Sequence, residues 1–423
     1  METPTLACCF VVGDDARDLH AALASLASLE DLLKGTVVMG MGASERTLEF
    51  ARRAGAQVFS RPDDGDLAAA RNEAAAAAES TWIFTLEGDD RVTADPELLG
   101  KLLVSQPGEV VRPDALQIEV QQGADAPATR EVRLYRTDGC HYIGGIRPRL
   151  VAIEAGRTLR PLNPGSDVVR VSSALGSDPA GERARLLRRE ARATRIIDVL
   201  DADGTGGDEL VSALVERARA RRKLGDGNGA LADLNRARAL PAGDRYRDTA
   251  REELVGLLVE HRHLAGARTL ISQLREGGAD TGYSDWLEAQ VSAAEGQAEQ
   301  ALAIVDRLRE RGLLTRADGG VVAPPEILNE TMILAARVHD YDKAFECCLE
   351  LVSRHGQARR FGRLLLKLWG ARSPEGLAAR LKAAGAPIDP VATALRGLPG
   401  AGPAVAEALE ATRPELTEVA AAL

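Results

Sequence analysis

Short apolar runs alternate with helical patterns over the first 90 residues of this chain, and this alternation limits the fold more than any other feature. The runs have the length of buried strands, and a helical pattern follows each of the first three. They are residues 6–12, 35–39, 56–59 and 82–86. Continuous apolar strands joined by helices are typical of a parallel sheet with helices on both faces. The sequence therefore predicts an α/β N-terminal domain with a mainly parallel sheet.

Later in the chain the pattern changes twice. Residues 115–120 and 130–135 alternate between apolar and polar side chains, which predicts two half-buried antiparallel strands that complete the sheet. From about Asp178 onward strand-like runs vanish, and Ala, Leu, Arg and Glu dominate at helical spacing. Residues 182–200 fit one long helix, which we interpret as a bridge between domains.

Small residues recur in the helical part at similar intervals. Ala230, Ala267, Ala301 and Ala344 are separated by 37, 34 and 43 residues, and 34 is the tetratricopeptide period. A Gly- and Pro-containing loop, residues 314–325, can absorb the longer last interval. Small residues let two antiparallel helices approach closely, so we predict an all-α domain of tetratricopeptide-like repeats. The predicted domains are 1–177 (α/β), 178–204 (linking helix), 205–360 (repeats) and 361–423 (capping helices).

Composition excludes several classes of protein. A length of 423 residues calls for more than one domain, and a net charge of −10 argues against a general nucleic-acid binder. Five cysteines, an odd number, predict buried free thiols rather than a disulfide framework. The first residues lack a basic segment, and no stretch is long and apolar enough for a membrane span. We therefore expect a cytoplasmic protein.

An acidic turn follows the fourth apolar run. Residues 82–86 end directly in Glu87-Gly88-Asp89-Asp90. In open α/β sheets ligands bind beyond the carboxyl ends of the strands. Three carboxylates within four residues repel one another unless a cation or water screens them, which favours a metal site. The alternative is an ordinary solvated turn.

Four motifs, in order, resemble the family 2 glycosyltransferases of the GT-A fold, in the subgroup fused to tetratricopeptide repeats. The opening strand and acidic turn are VVGDDARDLHAALASL, and residues 42–47 match the family's GSTDRT turn. Residues 66–72 match its D-x-x-x-ARN segment, and Glu87-Gly88-Asp89 its D-x-D turn. The resemblance is strongest up to residue 91. It implies a GT-A-like nucleotide-diphospho-sugar transferase domain.

The resemblance also implies a set of donor-binding residues. Asp14 would belong to this set, and Asp66 and Arg71 would lie beside the base and phosphates of a nucleotide sugar. Asp89 would hold a divalent metal, Mn²⁺ or Mg²⁺, that bridges the diphosphate, with Glu87 near the ribose or the metal. Hard cations take carboxylate oxygens, which agrees with this assignment.

Structural roles compete with these assignments. Arg71 can instead form an ion pair with Asp66 or Glu73. Asn72 can be a polar helix residue that is hydrogen-bonded to a neighbouring loop.

The sequence departs from the family at four places, one of which is Glu87 in the position of the first aspartate of D-x-D. Gly40 stands where the second strand of the family ends in an aspartate that grips the nucleoside. Arg147-Pro148 stand where the family has a His-Glu pair on the acceptor side, and neither can act as a base near neutral pH. A further family histidine, after the predicted strand 167–171, falls on Ser172 or Ser173.

An inverting transferase normally needs a general base for the acceptor hydroxyl. His141 is the nearest titratable candidate, although a lone histidine is more often structural. Asp90, Glu154 and Asp167 are alternatives, and Arg147 is a candidate phosphate ligand by its charge.

Two functions fit these observations. In the first, the chain is a metal-dependent glycosyltransferase whose repeats bind a peptide or protein acceptor. In the second, it is a lapsed transferase that acts as an interaction scaffold. The repeats fit dimerisation or a purely stabilising role equally well, so a homodimer is a further expectation.

Overall fold

The computed structural model describes residues 4–13, 19–104, 113–122, 129–173, 179–278 and 280–411. The chain divides after Gly243 into two compact units. The first unit contains an α/β domain and the first helices of the all-α part, and the second unit is almost entirely helical.

One mixed sheet organises the first unit. Its strands are β1 (Leu6–Val12), β2 (Leu33–Met41), β3 (Gln57–Arg61), β4 (Trp82–Leu86), β5 (Asp90–Ala94), β6 (Ala115–Gln122), β7 (Thr129–Arg136), β10 (Pro161–Leu162) and β11 (Val169–Ser173), and a separate hairpin is formed by β8 (Cys140–Ile143) and β9 (Arg149–Ala152). Within the described residues the order is β3-β2-β1-β4-β7-β6-β11-β5, with β10 beside β6. The strands β3, β2, β1 and β4 are parallel, β7 is antiparallel to both β4 and β6, and β11 is parallel to β6 and antiparallel to β5. The predicted α/β class and the antiparallel pairing of the two alternating segments are confirmed.

Both faces of this sheet are buried, which explains its continuous apolar strands. Cys8 and Phe10 of β1 belong to one hydrophobic cluster, and Ala7 and Cys9 of the same strand belong to the other. The helices of the unit are α1 (Leu19–Ser25), α2 (Glu45–Arg53), α3 (Leu67–Ala78), α4 (Pro96–Leu103), α5 (Pro179–Ala202), α6 (Asp208–Leu224) and α7 (Gly227–Ala239), with a 3-10 turn at Leu26–Leu29. Five alanines of α3 are buried in the second cluster, where small side chains let the helix lie close to the sheet: Ala68, Ala70, Ala74, Ala75 and Ala78.

The predicted bridging helix is α5, and it packs against the α/β domain. Gly65 lies so close to it that a Cβ atom there would be 2.7 Å from Ile196 Cγ1. Arg195 forms an ion pair with Asp63 in the same loop. Arg221 of α6 binds Glu190 of α5 at 2.9 Å and Asp233 of α7 at 2.9 Å, which ties the three helices together.

Most helices of the second unit pack in pairs with the next helix along the chain. Its helices are α8 (Asp244–Glu260), α9 (Leu264–Glu276), α10 (Thr281–Ala294), α11 (Ala298–Arg311), α12 (Pro324–Arg337), α13 (Tyr341–Ser353), α14 (Ala358–Trp369), α15 (Pro374–Ala383), α16 (Ile388–Arg396) and α17 (Gly402–Ala411). The expectation that strands are absent after Asp178 is wrong at one place. Two short strands, β12 (Leu314–Thr315) and β13 (Val321–Val322), form a hairpin between α11 and α12, because Leu314 and Val322 are buried there.

The four alanines that mark the repeat have equivalent positions. Ala230, Ala267, Ala301 and Ala344 are each the fourth residue of the second helix of a pair (α7, α9, α11 and α13), and each is fully buried. The turn between the two helices carries a positive φ at Gly225, Arg262, Gly296 and His339. The predicted helical repeats are thus confirmed.

Three smaller expectations concern the whole chain. All five cysteines are buried free thiols, as predicted. In the part of the chain that the structure describes, no helix has both the length and the apolar character needed to cross a membrane. Of the predicted capping helices, 361–423, residues 412–423 lie outside the described residues.

Candidate functional site

The acidic turn joins β4 to β5 at the carboxyl edge of the parallel strands. Its three carboxylates differ in surroundings and in partner. Side chains of α3, β7, β8, β11 and α5 surround them.

Asp90 is directed into the protein. Its residue is only 3% exposed, and its Oδ2 accepts a hydrogen bond from the Glu87 backbone N–H at 2.8 Å. The same oxygen lies 3.4 Å from Arg133 Nη1. Burial raises the pKa of Asp90 to about 7, although Arg133 acts in the opposite direction. Asp90 therefore stabilises the turn from inside.

Asp89 is held by β11. Its carboxylate accepts a hydrogen bond from the hydroxyl of Ser173, one of the two serines at the position of the family histidine. Burial raises the pKa of Asp89, and the Ser173 hydrogen bond counteracts part of that effect. The predicted metal ligand is thus already bonded to another side chain.

Glu87 is the carboxylate that opens to solvent, with 53% of its side chain exposed. The surrounding protein atoms act to raise its pKa. Arg133, Arg71, Arg189 and Arg185 outweigh this effect and hold the pKa of Glu87 below its ordinary value. Two of these arginines belong to α5, which the sequence assigned to a linker, and no sequence signal related them to the turn.

Arg71 connects the turn to α3 and β8. Its Nη2 lies 3.7 Å from Glu87 Oε1, and its guanidinium lies 4.9 Å from the centre of the Tyr142 ring. Of the two alternative partners, Glu73 binds Arg61 at 2.8 Å. The ion partner of Arg71 is therefore Glu87, so two of the predicted donor-binding residues are in contact with each other.

Asn72 positions the strand that carries Tyr142. Its Nδ2 donates to the Tyr142 carbonyl at 2.9 Å, and its Oδ1 accepts from the Tyr142 N–H at 2.9 Å. The Tyr142 ring packs edge-to-face on Tyr135 at a centroid distance of 5.4 Å. The structural interpretation of Asn72 is therefore confirmed, with β8 as its partner.

Asp66 begins α3. Its side chain accepts from the Ala69 N–H at 2.9 Å and caps the helix. The next residue, Leu67, donates its N–H to the Gly145 carbonyl at 2.9 Å. Asp66 therefore sits at the N-terminus of the helix that carries Arg71.

Two further positions, Gly40 and Arg147, are places where the sequence departs from the resembled family. A Cβ atom at Gly40 would lie 2.5 Å from Leu48 Cδ2, so α2 occupies the space of a side chain at the end of β2. Arg147 is the candidate phosphate ligand. Its Nε lies 3.5 Å from Oε1 of Glu216 on α6.

His141 precedes Tyr142 on β8. Successive strand residues point to opposite faces, so the His141 ring lies on the side away from the Tyr142 ring and Arg71. Its Nδ1 is buried without a hydrogen-bond partner among the residues described. Its role as a base stays a prediction. Asp14 lies outside the described residues.

The residues present do not converge on a metal. Within the described ranges, no three His, Cys, Asp or Glu side chains are grouped so that they could hold one. In the turn, Asp90 faces Arg133, Asp89 faces Ser173 and Glu87 faces Arg71. Arginine guanidinium groups bind phosphate through paired N–H donors. Arg71, beside Glu87, is therefore a group that can bind an anion at this turn.

Comparison with known proteins relates parts of the chain to two groups. No family model matches the sequence. A tetratricopeptide repeat-containing protein of Synechococcus elongatus is 33% identical over 132 residues, which cover 30% of this chain and 30% of that protein. The chain thus matches less than a third of the length of this curated relative.

Solved structures give similar but more distant matches. A tetratricopeptide repeat protein from Parabacteroides merdae shares 12% identity over 54% of this chain and 78% of its own, with a TM-score of 0.33. Glucosyl-3-phosphoglycerate synthase from Mycobacterium tuberculosis, solved with Mn²⁺ and UDP, shares 18% identity over 28% of this chain and 44% of its own, with a TM-score of 0.21. The chain therefore has a relative among tetratricopeptide repeat proteins, and its likeness to glycosyltransferases is weak and confined to a small part.

Proposed function

We propose that the α/β domain binds the diphosphate of a nucleotide sugar beside Arg71 and transfers the sugar to an acceptor. The observation that carries this proposal is the position of Arg71. It is fixed on α3 beside the carboxyl edge of β4, rests on the Tyr142 ring and faces the exposed Glu87. The sequence resemblance of residues 42–47, 66–72 and 87–89 supports the same assignment.

The chemistry assigned to the arginines is charge neutralisation. Breaking the bond between sugar and diphosphate leaves negative charge on the departing group, and fixed positive charges stabilise it. Arg71 offers a planar pair of N–H donors, while Arg185 and Arg189 add positive potential at Glu87. Glu87, ionised, is an acceptor for the hydroxyl groups of a ribose. Its contact with Arg71 is the one that a phosphate would replace.

Asp89 as a metal ligand, Asp14 as a donor contact and His141 as a base belong to this proposal as predictions. In transferases of the resembled kind, a divalent metal such as Mn²⁺ or Mg²⁺ supplies the neutralising charge. The positive charge that the chain itself supplies at the turn includes that of Arg71, Arg185 and Arg189. The helical repeats would bind the acceptor, a peptide or protein, and their use in a homodimer is the alternative.

The second candidate is an interaction scaffold with a lapsed transferase domain. The contact of Gly40 with Leu48 favours it, because the strand-end aspartate of the resembled family has no space here. The pairing of Arg147 with Glu216 favours it as well, since Arg147 is then engaged by α6.

Thermal unfolding of the full chain with a panel of nucleoside diphosphates and nucleotide sugars tests the proposal, with Mn²⁺ in one series and EDTA in the other. A bound nucleotide raises the apparent stability by mass action. We expect one nucleotide to raise Tm and Arg71→Ala to abolish the shift. Arg53→Ala, whose side chain is 81% exposed on α2, is the matched control.

The outcomes separate the two candidates. No shift with any nucleotide at millimolar concentration rejects the donor site and leaves the scaffold. A shift without release of sugar, in the presence or absence of a protein acceptor, indicates a domain that binds a donor but has lost catalysis. Loss of the shift in EDTA and in Asp89→Ala would establish the metal site.

A further inference from the structure

The hairpin between α11 and α12 accounts for the longest interval of the repeat. Leu314 pairs with Val322 and Thr315 with Val321. At its tip, the Arg316 N–H donates to the Gly320 carbonyl at 2.8 Å, and the Gly319 N–H donates to the Arg316 carbonyl at 2.9 Å. The hairpin is therefore held by its own backbone hydrogen bonds, and Arg316 lies at its tip.

That arginine enters a pocket on the first helices of the repeats. Arg316 forms an ion pair with Glu253 of α8, and its Nε lies 3.8 Å from Glu252 Oε2. Its guanidinium lies 5.5 Å from the centre of the Tyr283 ring of α10. We refer to Glu252, Glu253 and Tyr283 as the acidic pocket. Arg316 also acts electrostatically on Glu326 of α12. Burial raises the pKa of Glu326, and the charge of Arg316 counteracts this rise.

Hydrogen bonds between the hairpin backbone and side chains of α8 also hold the hairpin over the pocket. Arg245 of α8 donates to the Ala317 carbonyl at 3.0 Å and to the Asp318 carbonyl at 2.7 Å. The Ala317 N–H donates to Glu252 Oε1 at 3.0 Å. The buried Leu314 and Val322, the two carboxylate contacts of Arg316 and its contact with the Tyr283 ring add to these bonds.

The two carboxylates of the acidic pocket are almost fully buried. Glu252 is 4% exposed and Glu253 is 8% exposed. The second oxygen of Glu252, Oε2, is buried without a hydrogen-bond donor among the described residues. Buried carboxylates are costly unless they are paired: burial raises the pKa of Glu252 to about 8, and a positively charged side chain acts against this rise. Glu252 therefore has unused acceptor capacity toward that side chain.

We propose that the acidic pocket binds an arginine side chain of a partner protein, and that Arg316 occupies the same place in the isolated chain. Stacked helix pairs bind extended partners on the concave surface formed by successive repeats, and the pocket spans α8 and α10. The exchange of one arginine for another keeps both carboxylates paired, so it avoids the large penalty for a buried unpaired charge. Arginine is favoured over lysine because its planar fork serves two carboxylates and stacks on an aromatic ring. This inference does not depend on the donor site.

Fluorescence anisotropy of the full chain with a labelled Gly-Arg repeat peptide tests the proposal, with a Gly-Lys peptide of equal length for comparison. We expect Arg316→Ala to bind the Gly-Arg peptide about tenfold more tightly than the unmodified chain. Arg354→Ala changes the net charge by the same amount at a side chain that is 67% exposed, and we expect no tightening. Glu253→Gln, added to Arg316→Ala, removes the gain, whereas Glu375→Gln on the exposed face of α15 keeps it.

Three results overturn the proposal: equal affinity of the Arg316→Ala and Arg354→Ala variants, a gain that survives Glu253→Gln, or equal tightening for the Gly-Lys peptide. Circular dichroism checks that each variant is folded. If Arg316→Ala does not fold, Arg316→Lys takes its place, because lysine retains the charge but lacks the fork. The expected gain is then smaller but still specific to the Gly-Arg peptide, and its absence also rejects the proposal.

Discussion

Leu48 of α2 fills the space beside Gly40 at the end of β2, where a Cβ atom would lie 2.5 Å from Leu48 Cδ2. The same strand contains Gly35, around which a Cβ atom would meet nothing within 4 Å. The glycine at position 40 is therefore required by the packing of α2 on the sheet. A larger side chain at position 40, such as the aspartate of the resembled family, would collide with Leu48.

Gly40→Ala is expected to lower the free energy of unfolding by about 1–3 kcal/mol, because it overpacks the contact with Leu48. Gly35→Ala, on the same strand, is expected to stay within about 0.5 kcal/mol. Urea unfolding followed by circular dichroism measures both. In the double variant Gly40→Ala, Leu48→Ala the two losses should be less than additive, and equal losses at positions 40 and 35 would contradict the packing argument.

Asn72→Ala is expected to destabilise the first unit by about 1–3 kcal/mol, because it leaves the backbone N–H and carbonyl of Tyr142 without their partner. Asn228→Ala, at an exposed position in the first turn of α7, is the control and is expected to change stability by less than about 0.5 kcal/mol. Urea unfolding measures both changes. If the two variants are equally stable, the hydrogen bonds between Asn72 and Tyr142 do not hold β8 in place.

Asp90→Asn is expected to change how stability depends on pH. The folded state raises the pKa of Asp90 from 3.8 to about 7, so between these values the folded protein binds more protons than the unfolded chain. The contribution of Asp90 to stability is thus complete at low pH and declines as the pH rises through this window. Asp90→Asn removes this decline, which urea unfolding at a series of pH values detects. The exposed Asp342→Asn should leave the profile unchanged, and a profile altered equally by both variants would reject the assignment.

Gly296→Ala is expected to cost about 1–2 kcal/mol through the backbone alone, because residue 296 has a φ of +87° and no atom would touch the added Cβ. Gly266→Ala, in the first turn of α9, places its Cβ in ordinary contact with Leu258 and is expected to be neutral or stabilising. Thermal unfolding measures both. Similar effects of the two substitutions would show that the left-handed turn is not the cause.

Much of the fold could be predicted from the sequence because it depends on local periodicity. The continuous apolar strands indicated a sheet covered on both faces, and β1 indeed divides its side chains between two hydrophobic clusters. The alternation in residues 115–120 indicated a half-buried antiparallel strand. The spacing of Ala230, Ala267, Ala301 and Ala344 indicated equivalent, fully buried helix contacts. In contrast, the hairpin at Leu314 was read as a loop, because two-residue strands carry no periodic signal.

The sequence by itself determined which residues follow the fourth strand and that Asp66, Arg71 and Asn72 precede it on one helix. Only the tertiary structure decided what each of these groups does. Asp90 is paired with Arg133, 43 residues away, while Asp89 is bonded to Ser173, 84 residues away. Arg185 and Arg189 reach the same turn from α5. The physical reason is that periodicity is a property of neighbouring residues, whereas the charge and hydrogen bonding of a side chain depend on groups that packing brings from distant parts of the chain.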